Sequence, residues 1–337
     1  MNTTSELVGT FPPPPGVTPN FINPESTASQ VVLCTILTLV FMIPFFVLRM
    51  YTKKYILKRI DPEDYSIILA VLFALMYSII NLLQLKNGVG RHIWDVTLPQ
   101  FKRFIITGIP SGISYTLSSL FVKVSLGQFY IRVSLDKFFK VVTYIIIFVC
   151  VCYNLLGGFS FVWFCRPIHK LWDFAVQGHC VNMNAAFKTL SALNVATDVA
   201  LLILPIWLMW SMHLPFWKKV GTVFILMTGS FVCAVSIIWM AIMPSLVQQH
   251  DATYTNVQSV KWCLIHTYVA IICACMPLLH SYARHRFPRL FPTNEGHGQG
   301  LVLITRCNIS LPSTDPEASP VETMSNLDFG HGKCNSS

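Results

Sequence analysis

Two charged residues, Lys123 and Asp198, stand inside long apolar stretches of the sequence, and Asn194 precedes Asp198 by four positions. Residues four apart share one face of a helix, so Asn194 and Asp198 predict a common polar face, whereas Thr197 is expected to point elsewhere. A carboxylate in an apolar medium needs a partner, or it is protonated. Lys123, Asn194 and Asp198 therefore form a candidate intramembrane polar site, for which a structural role and a ligand-binding role both stay open.

A contact between Lys123 and Asp198 is also left open. Their expected depths differ by roughly six residues, or about 9 Å along a helix axis. An extended lysine bridges much of that distance, but it can instead carry its ammonium toward the inner membrane surface. The sequence contains no Gly-x-Ser-x-Gly, His-Glu-x-x-His or phosphate-loop motif. No catalytic residue and no metal ligand is therefore predicted, and the chain is not expected to be an enzyme.

These residues belong to seven apolar stretches, each about long enough to cross a bilayer as a helix. The stretches are 30–50, 65–85, 105–131, 138–160, 186–210, 219–243 and 262–282. Only 12% of the residues are charged, against about 25% in soluble domains. Because lipid offers no partner to backbone N–H and C=O groups, each stretch is expected to be helical. The predicted fold is an all-α, seven-helix bundle of a polytopic membrane protein, with the lipid bilayer as its surroundings.

Basic residues are concentrated in alternate connections between the stretches. Twelve lysines and arginines fall in the segments that are internal if the N-terminus is outside, and six fall in the external ones. The positive-inside rule therefore predicts an external N-terminus and a cytosolic C-terminus. The plasma membrane is the expected location. The formal net charge of +9 is explained by this collar at the helix ends, so nucleic-acid binding is not expected.

Three regions follow from this organisation: an extracellular, proline-containing tail over 1–29, the membrane domain over 30–290, and a disordered cytosolic tail over 291–337. No basic segment with a short apolar core precedes the first stretch, so no cleaved signal peptide is expected. Asn2-Thr3-Thr4 is a glycosylation sequon on the external side.

Two cysteines differ from the others by their position. Cys165 and Cys180 lie in the fourth connection, which the predicted topology places in an oxidising compartment. A disulfide between them is predicted, worth about 3 kcal/mol by loop-closure entropy. Cys150 and Cys152, like other pairs two apart in a helix, point to opposite sides and are expected to be apolar filling rather than metal ligands.

A series of short motifs occurs in a definite order along the chain. It runs Arg49-Met-Tyr51, Ile60-Asp-Pro-Glu-Asp64-Tyr65, Gly88-Val-Gly90-Arg91-His92-Ile-Trp94-Asp95, Tyr115, Lys123-Val-Ser125, Tyr130-Ile-Arg132, Cys165-Arg-Pro167 with Trp172, Gly178-His-Cys180, Asn194 to Asp198, Leu204-Pro-Ile206 and Ile271 to Pro277. In this order the motifs resemble the fungal rhodopsin-domain family of seven-helix membrane proteins. That family includes appressorium-receptor-like proteins and membrane proteins of mycotoxin clusters of the satratoxin type. The resemblance covers about residues 30–290.

Two positions depart from the family pattern. Ser236-Ile-Ile-Trp239 stands where members usually carry an arginine in helix six, and His266 stands where they usually carry a glutamate in helix seven. Joint loss of both charges suggests that the two positions interact. As a lone histidine, His266 is expected near the outer end of its helix as a hydrogen-bonded interior residue. No retinal cofactor is expected, because the lysine of helix seven, Lys261, stands at its outer mouth.

The resemblance favours a receptor- or sensor-like protein, tied to a secondary-metabolite cluster or to host sensing. An external pocket for a small extracellular ligand is expected beside the loop motif Gly90, Arg91, His92, Trp94 and Asp95. A cytosolic signalling partner would meet an inner face around Arg49, Asp64 and Arg132. The alternatives are a transporter or accessory membrane protein for a secondary metabolite, and a membrane-embedded enzyme such as a terpene cyclase.

Overall fold

The structure is a computed structural model, which describes residues 10, 13–21, 24–173, 176–211, 216–248 and 251–286. Asn2 and the tail over 291–337 lie outside the described residues, so their expected properties stay predictions.

Seven α-helices account for most of the described chain, as predicted. They are α1 (Ala28–Tyr51), α2 (Pro62–Gln84), α3 (Leu98–Val133), α4 (Lys137–Trp163), α5 (Met183–Ser211), α6 (Phe216–Gln248) and α7 (Ala252–Arg286). Most are longer than the apolar stretches that predicted them. The start of α7 lies ten residues before the expected position, because its first turns are polar and carry no hydropathy signal.

The helices have the length and surface of membrane spans. Six segments of the described chain are long and apolar enough to cross a bilayer, and α6 contributes a shorter apolar stretch over Leu226–Ile242. Many large apolar side chains face outward, for example Phe41, Phe148 and Leu156, each more than 60% exposed. Such a surface suits lipid and would be unfavourable in water. The fold is therefore an all-α membrane bundle.

Helices α3 and α7 form the centre of the bundle. Neighbours along the chain pack together from α2 to α4 and from α5 to α7, and α1 packs against α7. The main apolar core joins α1, α2 and α7, with Ile67, Leu264 and Ile271 fully buried. Lys123 and His266, which are discussed below, lie on these two central helices.

Local sequence signals explain where two of these helices begin. Asp61 precedes α2, and its backbone N–H donates to the Asp64 carboxylate at 3.0 Å. Pro62 occupies the first helical position, where its missing N–H costs nothing. Likewise the N–H of Thr97 donates to Gln100 Oε1 at the start of α3, which is half of a capping box.

Two ends of the bundle are distinguished below. The disulfide end contains the α2–α3 connection (85–97) and the α4–α5 connection (164–182). There, β1 (Cys165–Arg166) pairs antiparallel with β2 (His179–Cys180), and the predicted disulfide joins Cys165 to Cys180. The opposite end, called the ion-network end, contains the α1–α2 connection (52–61) and the α3–α4 connection (134–136). Which end faces the cytosol stays a prediction.

Candidate functional site

Lys123 and Asp198 form an ion pair in the interior of the bundle. Lys123 Nζ lies 2.9 Å from Asp198 Oδ1, and the two side chains are 4% and 6% exposed. The lysine therefore does not reach the membrane surface. The expected difference in depth does not keep the two charged groups apart.

Neutral oxygen atoms complete the surroundings of the ammonium group. Lys123 Nζ donates to Tyr153 Oη at 2.7 Å, to Asn194 Oδ1 at 2.8 Å and to Thr197 Oγ1 at 2.8 Å. The expectation that Thr197 points elsewhere was wrong. Thr197 is three residues after Asn194, and residues three apart lie on neighbouring positions of a helix face. The lysine thus fills a polar niche between α4 and α5.

The second carboxylate oxygen of Asp198 contacts two further helices. Asp198 Oδ2 accepts a hydrogen bond from Ser236 on α6 at 2.6 Å, and it lies 3.2 Å from His266 Nε2 on α7. Asn194 Nδ2 is 3.4 Å away. His266 was expected near the end of its helix, but the early start of α7 puts it well inside, where it is 2% exposed. It is a hydrogen-bonded interior residue, as predicted.

These contacts define the central network, which consists of Lys123, Tyr153, Asn194, Thr197, Asp198, Ser236 and His266. Five helices, α3 to α7, contribute to it. Charges buried in a medium of low dielectric constant are stable only when paired and hydrogen-bonded. The network meets this requirement for both charges, so movement of any one contributing helix disturbs a contact of a buried charged or polar group.

A cavity of about 310 Å³ lies between the central network and the disulfide end. Helices α2 to α7 all contribute to its wall, and Phe164 and Leu171 of the disulfide-closed connection form part of it. Asn194 also lines this cavity. A second cavity of about 40 Å³ lies on the other side of the ion pair, beside Ser119 and Thr267, and is large enough for a water molecule.

The predicted loop motif lies at the disulfide end. Gly90 has φ +88°, and a Cβ atom there would lie 2.8 Å from the backbone nitrogen of Ala28, so only glycine fits. Its N–H donates to Thr253 at the start of α7, and its carbonyl accepts from Thr27. Arg91 pairs with Ser26 in an isolated β-bridge. The α2–α3 connection is thus held between the N-terminal segment and α7.

The aromatic residues of the motif and Asp95 contact the same elements. The ring of His92 stacks between Trp94 and Tyr254, with centroids 4.5 and 4.3 Å away. His92 Nδ1 lies 2.5 Å from Asp251 Oδ2. Asp95 accepts a hydrogen bond from the backbone of Asn20 at 2.7 Å. The motif therefore joins the α2–α3 connection, the start of α7 and part of the N-terminal tail, which packs on the bundle.

The residues predicted for the inner face meet at the ion-network end. Arg49 is 2% exposed, and its guanidinium group lies 2.9 Å from Asp64 Oδ1. It also donates to the carbonyl of Ala274 on α7 at 2.5 Å. One buried arginine therefore connects α1, α2 and α7.

The sequence-based reasoning missed the residue at the centre of this ion network. Lys53 Nζ contacts Asp61 and Glu63, each at 2.7 Å, and is itself buried. Arg132, from the end of α3, binds Asp61 from the other side. Burial favours the neutral form of Asp61, but hydrogen bonds and charges from Lys53 and Arg132 outweigh it and hold the pKa of Asp61 below its ordinary value.

Comparison with known proteins decides the family. The family profile described as fungal rhodopsin domain matches residues 48–285, which include both ends of the bundle and the central network. The chain belongs to the fungal rhodopsin domain family. No solved structure matches the chain.

Curated relatives include proteins named after biosynthesis clusters. The chain is 28% identical over 215 residues to a SAT4 family membrane protein of Emericella nidulans, covering 63% of this chain and 54% of the relative. It is 29% identical over 134 residues to the satratoxin biosynthesis SC1 cluster protein 4 of Stachybotrys chartarum, covering 39% and 47%. It is 21% identical over 280 residues to the fugralins biosynthesis cluster protein 2 of Gibberella zeae, covering 79% and 68%. The chain thus spans about half the length of the first two relatives.

Trp239 and His266, the two positions that the resemblance suggests depart from the family pattern, both contact Tyr115. The ring of Tyr115 on α3 lies 6.2 Å from that of Trp239 and 6.1 Å from that of His266. Tyr115 Oη lies 3.3 Å from His266 Nδ1. Trp239 and His266 are therefore linked by the side chain of Tyr115, which lies between the cavity and Asp198.

Despite the family name, the lysines on α3 and α7 are not suited to bind a retinal chromophore. Retinal is held by a buried lysine, and Lys261 on α7 is instead bonded to Gln30 Oε1 at 2.7 Å in an exposed position. Lys123 is buried, but its ammonium is saturated with contacts to Asp198 and three other side chains.

Proposed function

We propose that this membrane protein is a receptor- or sensor-like protein, in which a small molecule in the 310 Å³ cavity changes the arrangement of the central network. Asn194 is the observation that carries the proposal. Its side chain lines the cavity and at the same time holds Lys123 Nζ at 2.8 Å. A molecule that contacts Asn194 therefore weakens or strengthens the hydrogen bond that Asn194 accepts from the buried ammonium group of Lys123.

Two helices lead from the central network to the ion-network end. Helix α3 carries Lys123 and, further along, Ser125, whose hydroxyl donates to the carbonyl of Glu63 at 2.8 Å. Helix α7 carries His266 and, two turns later, Ala274, which accepts from Arg49. A displacement of either helix at the network is thus transmitted to Glu63 and Arg49, which lie on either side of the α1–α2 connection, where we place the contact with a cytosolic partner.

Several features of the sequence support the remaining parts of the proposal. The charge bias supports an external disulfide end. A plasma-membrane location and glycosylation of Asn2 are part of the proposal. The relatives named for satratoxin and fugralins biosynthesis support a role connected with a secondary metabolite. The proposal includes neither catalysis nor transport, because the ion pair beside the cavity is saturated by protein ligands.

A tethered side chain tests the proposal without a known ligand. Gly108 lines the cavity, and an added Cβ there meets no atom within 4 Å. In Gly108→Phe, the ring should therefore act as a permanent occupant. An environment-sensitive dye is attached at Leu135→Cys in the α3–α4 connection, where the native side chain is 79% exposed. We expect the dye emission in nanodiscs to differ between the labelled protein that retains Gly108 and the labelled Gly108→Phe variant.

Controls separate transmission from general damage. Ile106→Phe places the same ring on the lipid-facing side of α3, where Ile106 is 45% exposed, and should leave the emission unchanged. Asn194→Ala should suppress the response to Gly108→Phe. If Gly108→Phe is folded by size-exclusion chromatography but the emission at position 135 does not change, the proposed function is wrong.

A further inference from the structure

The wall of the 310 Å³ cavity is uncharged. None of the described residues that line it carries a charge: each is either apolar or polar and neutral. The surface of the wall is mostly apolar, and Phe104, Phe187, Leu190 and Val260 contribute to it. An ion in such a place would lose its hydration without a partner of opposite charge, which is strongly unfavourable. Lys123 and Asp198 already neutralise each other beyond Asn194. A molecule that fits the cavity is therefore neutral.

One hydrogen-bond donor at the cavity lacks an acceptor within the described part of the chain. Gln84 lines the wall and is 2% exposed, and its Nε2 is buried without a partner. A buried donor of this kind costs free energy until an acceptor reaches it.

The neighbouring amides show that this is not a general property of the wall. Asn81 Nδ2 donates to the carbonyl of Tyr77 at 2.8 Å and to Ser111 Oγ at 3.0 Å. Asn154 Nδ2 donates to the carbonyl of Cys150 at 2.9 Å. These amide groups are engaged within the protein. The Nε2 group of Gln84 is therefore the wall donor that lacks an acceptor.

We propose that the cavity binds an uncharged, mostly apolar small molecule that carries a carbonyl or ether oxygen, and that this oxygen accepts the hydrogen bond of Gln84 Nε2. This inference rests on the proposed function and names its ligand class. The volume is at the low end of the range for small-molecule sites. A ligand oxygen supplies the acceptor that Gln84 Nε2 lacks, whereas a pure hydrocarbon leaves that donor unpaired.

Matched probes test the ligand class. Purified protein is incubated with 2-undecanone, undecane or undecanoate at pH 8, and the bound fraction is measured by native mass spectrometry. Binding to the Gly108→Phe variant, in which the ring occupies the cavity, gives the non-specific background. We expect the ketone to bind about tenfold more tightly than the hydrocarbon, which corresponds to one net hydrogen bond. The charged undecanoate should bind at least about tenfold more weakly than the ketone, because its carboxylate would be buried without a cation.

Two variants assign the preference to a side chain. Gln84→Leu removes the donor at similar volume, so it should retain undecane and lose the preference for the ketone. Leu190→Val trims the apolar wall, so it should weaken both probes alike and leave their ratio unchanged. Equal binding of ketone and hydrocarbon, an unchanged ratio in Gln84→Leu, or binding of neither probe by folded protein would each overturn the proposal. So would a phospholipid that co-purifies with the protein and is lost in Gly108→Phe.

The outcomes also separate this inference from the proposed function. If the ketone binds through Gln84 but the dye at position 135 does not respond to it, the ligand class stands and the receptor-like role fails. If the dye responds to Gly108→Phe and the ketone preference is absent, the receptor-like role stands and the ligand class fails.

Discussion

Removing one charge from the central network should be more costly than removing both. In Asp198→Asn the ammonium of Lys123 keeps its three neutral acceptors but loses its counter-ion. In Lys123→Met the carboxylate keeps Ser236 and His266 but loses its cation. Each single change leaves a buried charge uncompensated, which typically costs about 3–5 kcal/mol.

The double variant Lys123→Met with Asp198→Asn contains no stranded charge. An amide at position 198 can still accept from Ser236 Oγ, so the loss is about one or two neutral hydrogen bonds, or about 1–3 kcal/mol. Independent effects would instead add to about 6–10 kcal/mol. We therefore expect a coupling free energy of at least about 3 kcal/mol between the two positions.

Unfolding by sodium dodecyl sulfate in mixed micelles, followed by circular dichroism, measures the four free energies of this cycle. Lys102 and Asp173 provide the matched control, since they are 3.7 Å apart with side chains 36% and 42% exposed. Their cycle should give a coupling of about 0–1 kcal/mol. Additive effects at Lys123 and Asp198, within about 0.5 kcal/mol, would refute a stabilising pair.

Three further predictions concern the two ends of the bundle. Peptides from unreduced protein should contain Cys165 linked to Cys180, and serine at both positions should lower the unfolding free energy by about 3 kcal/mol; free alkylation of both thiols would contradict the bond. A C-terminal epitope tag should be inaccessible in intact cells, because twelve of the eighteen counted basic residues lie on the predicted cytosolic side; labelling without permeabilisation would reverse the topology. Because the pKa of Asp61 is lower in the folded state, its stabilising contribution is complete above its unfolded value of about 3.9 and is lost as the pH falls through the folded value. In Asp61→Asn the unfolding free energy should fall less steeply with decreasing pH than in the wild type. Equal slopes for the two proteins would contradict this contribution of Asp61.

The helices were predictable because their signal is repeated over many residues. Seven apolar stretches matched seven helices, and the errors lay at the polar ends, as for the first turns of α7. The disulfide was predictable because Cys165 and Cys180 were the cysteines assigned to the external loops. Lys123 and Asp198 were noticeable for a similar reason, since charge is rare in an apolar stretch.

The partners of the ion pair were harder to predict because they carry common residue types. Ser236 and Tyr153 contribute one hydroxyl each, and nothing in their sequence context distinguishes them from other serines and tyrosines in the helices. Thr197 was assigned to the wrong face because its position was compared with Asp198, one residue away, and not with Asn194, three residues away. The cavity depends on six helices at once, so no local pattern could indicate it.

The free energies of the central network limit how a bound molecule can act on it. Breaking the contact between Lys123 and Asp198 would cost about 3–5 kcal/mol, so a ligand would need about 10²- to 10⁴-fold tighter binding to the broken state just to offset it. Exchanging the Asn194 acceptor of Lys123 involves one neutral hydrogen bond, about 0.5–1.5 kcal/mol, which a differential affinity of about tenfold supplies. The ion pair is therefore expected to persist while Asn194 turns between the cavity and the ammonium. In that case Asn194→Ala should abolish the response at the ion-network end and leave most of the coupling between Lys123 and Asp198 intact; loss of that coupling on cavity occupation would show that the pair itself breaks.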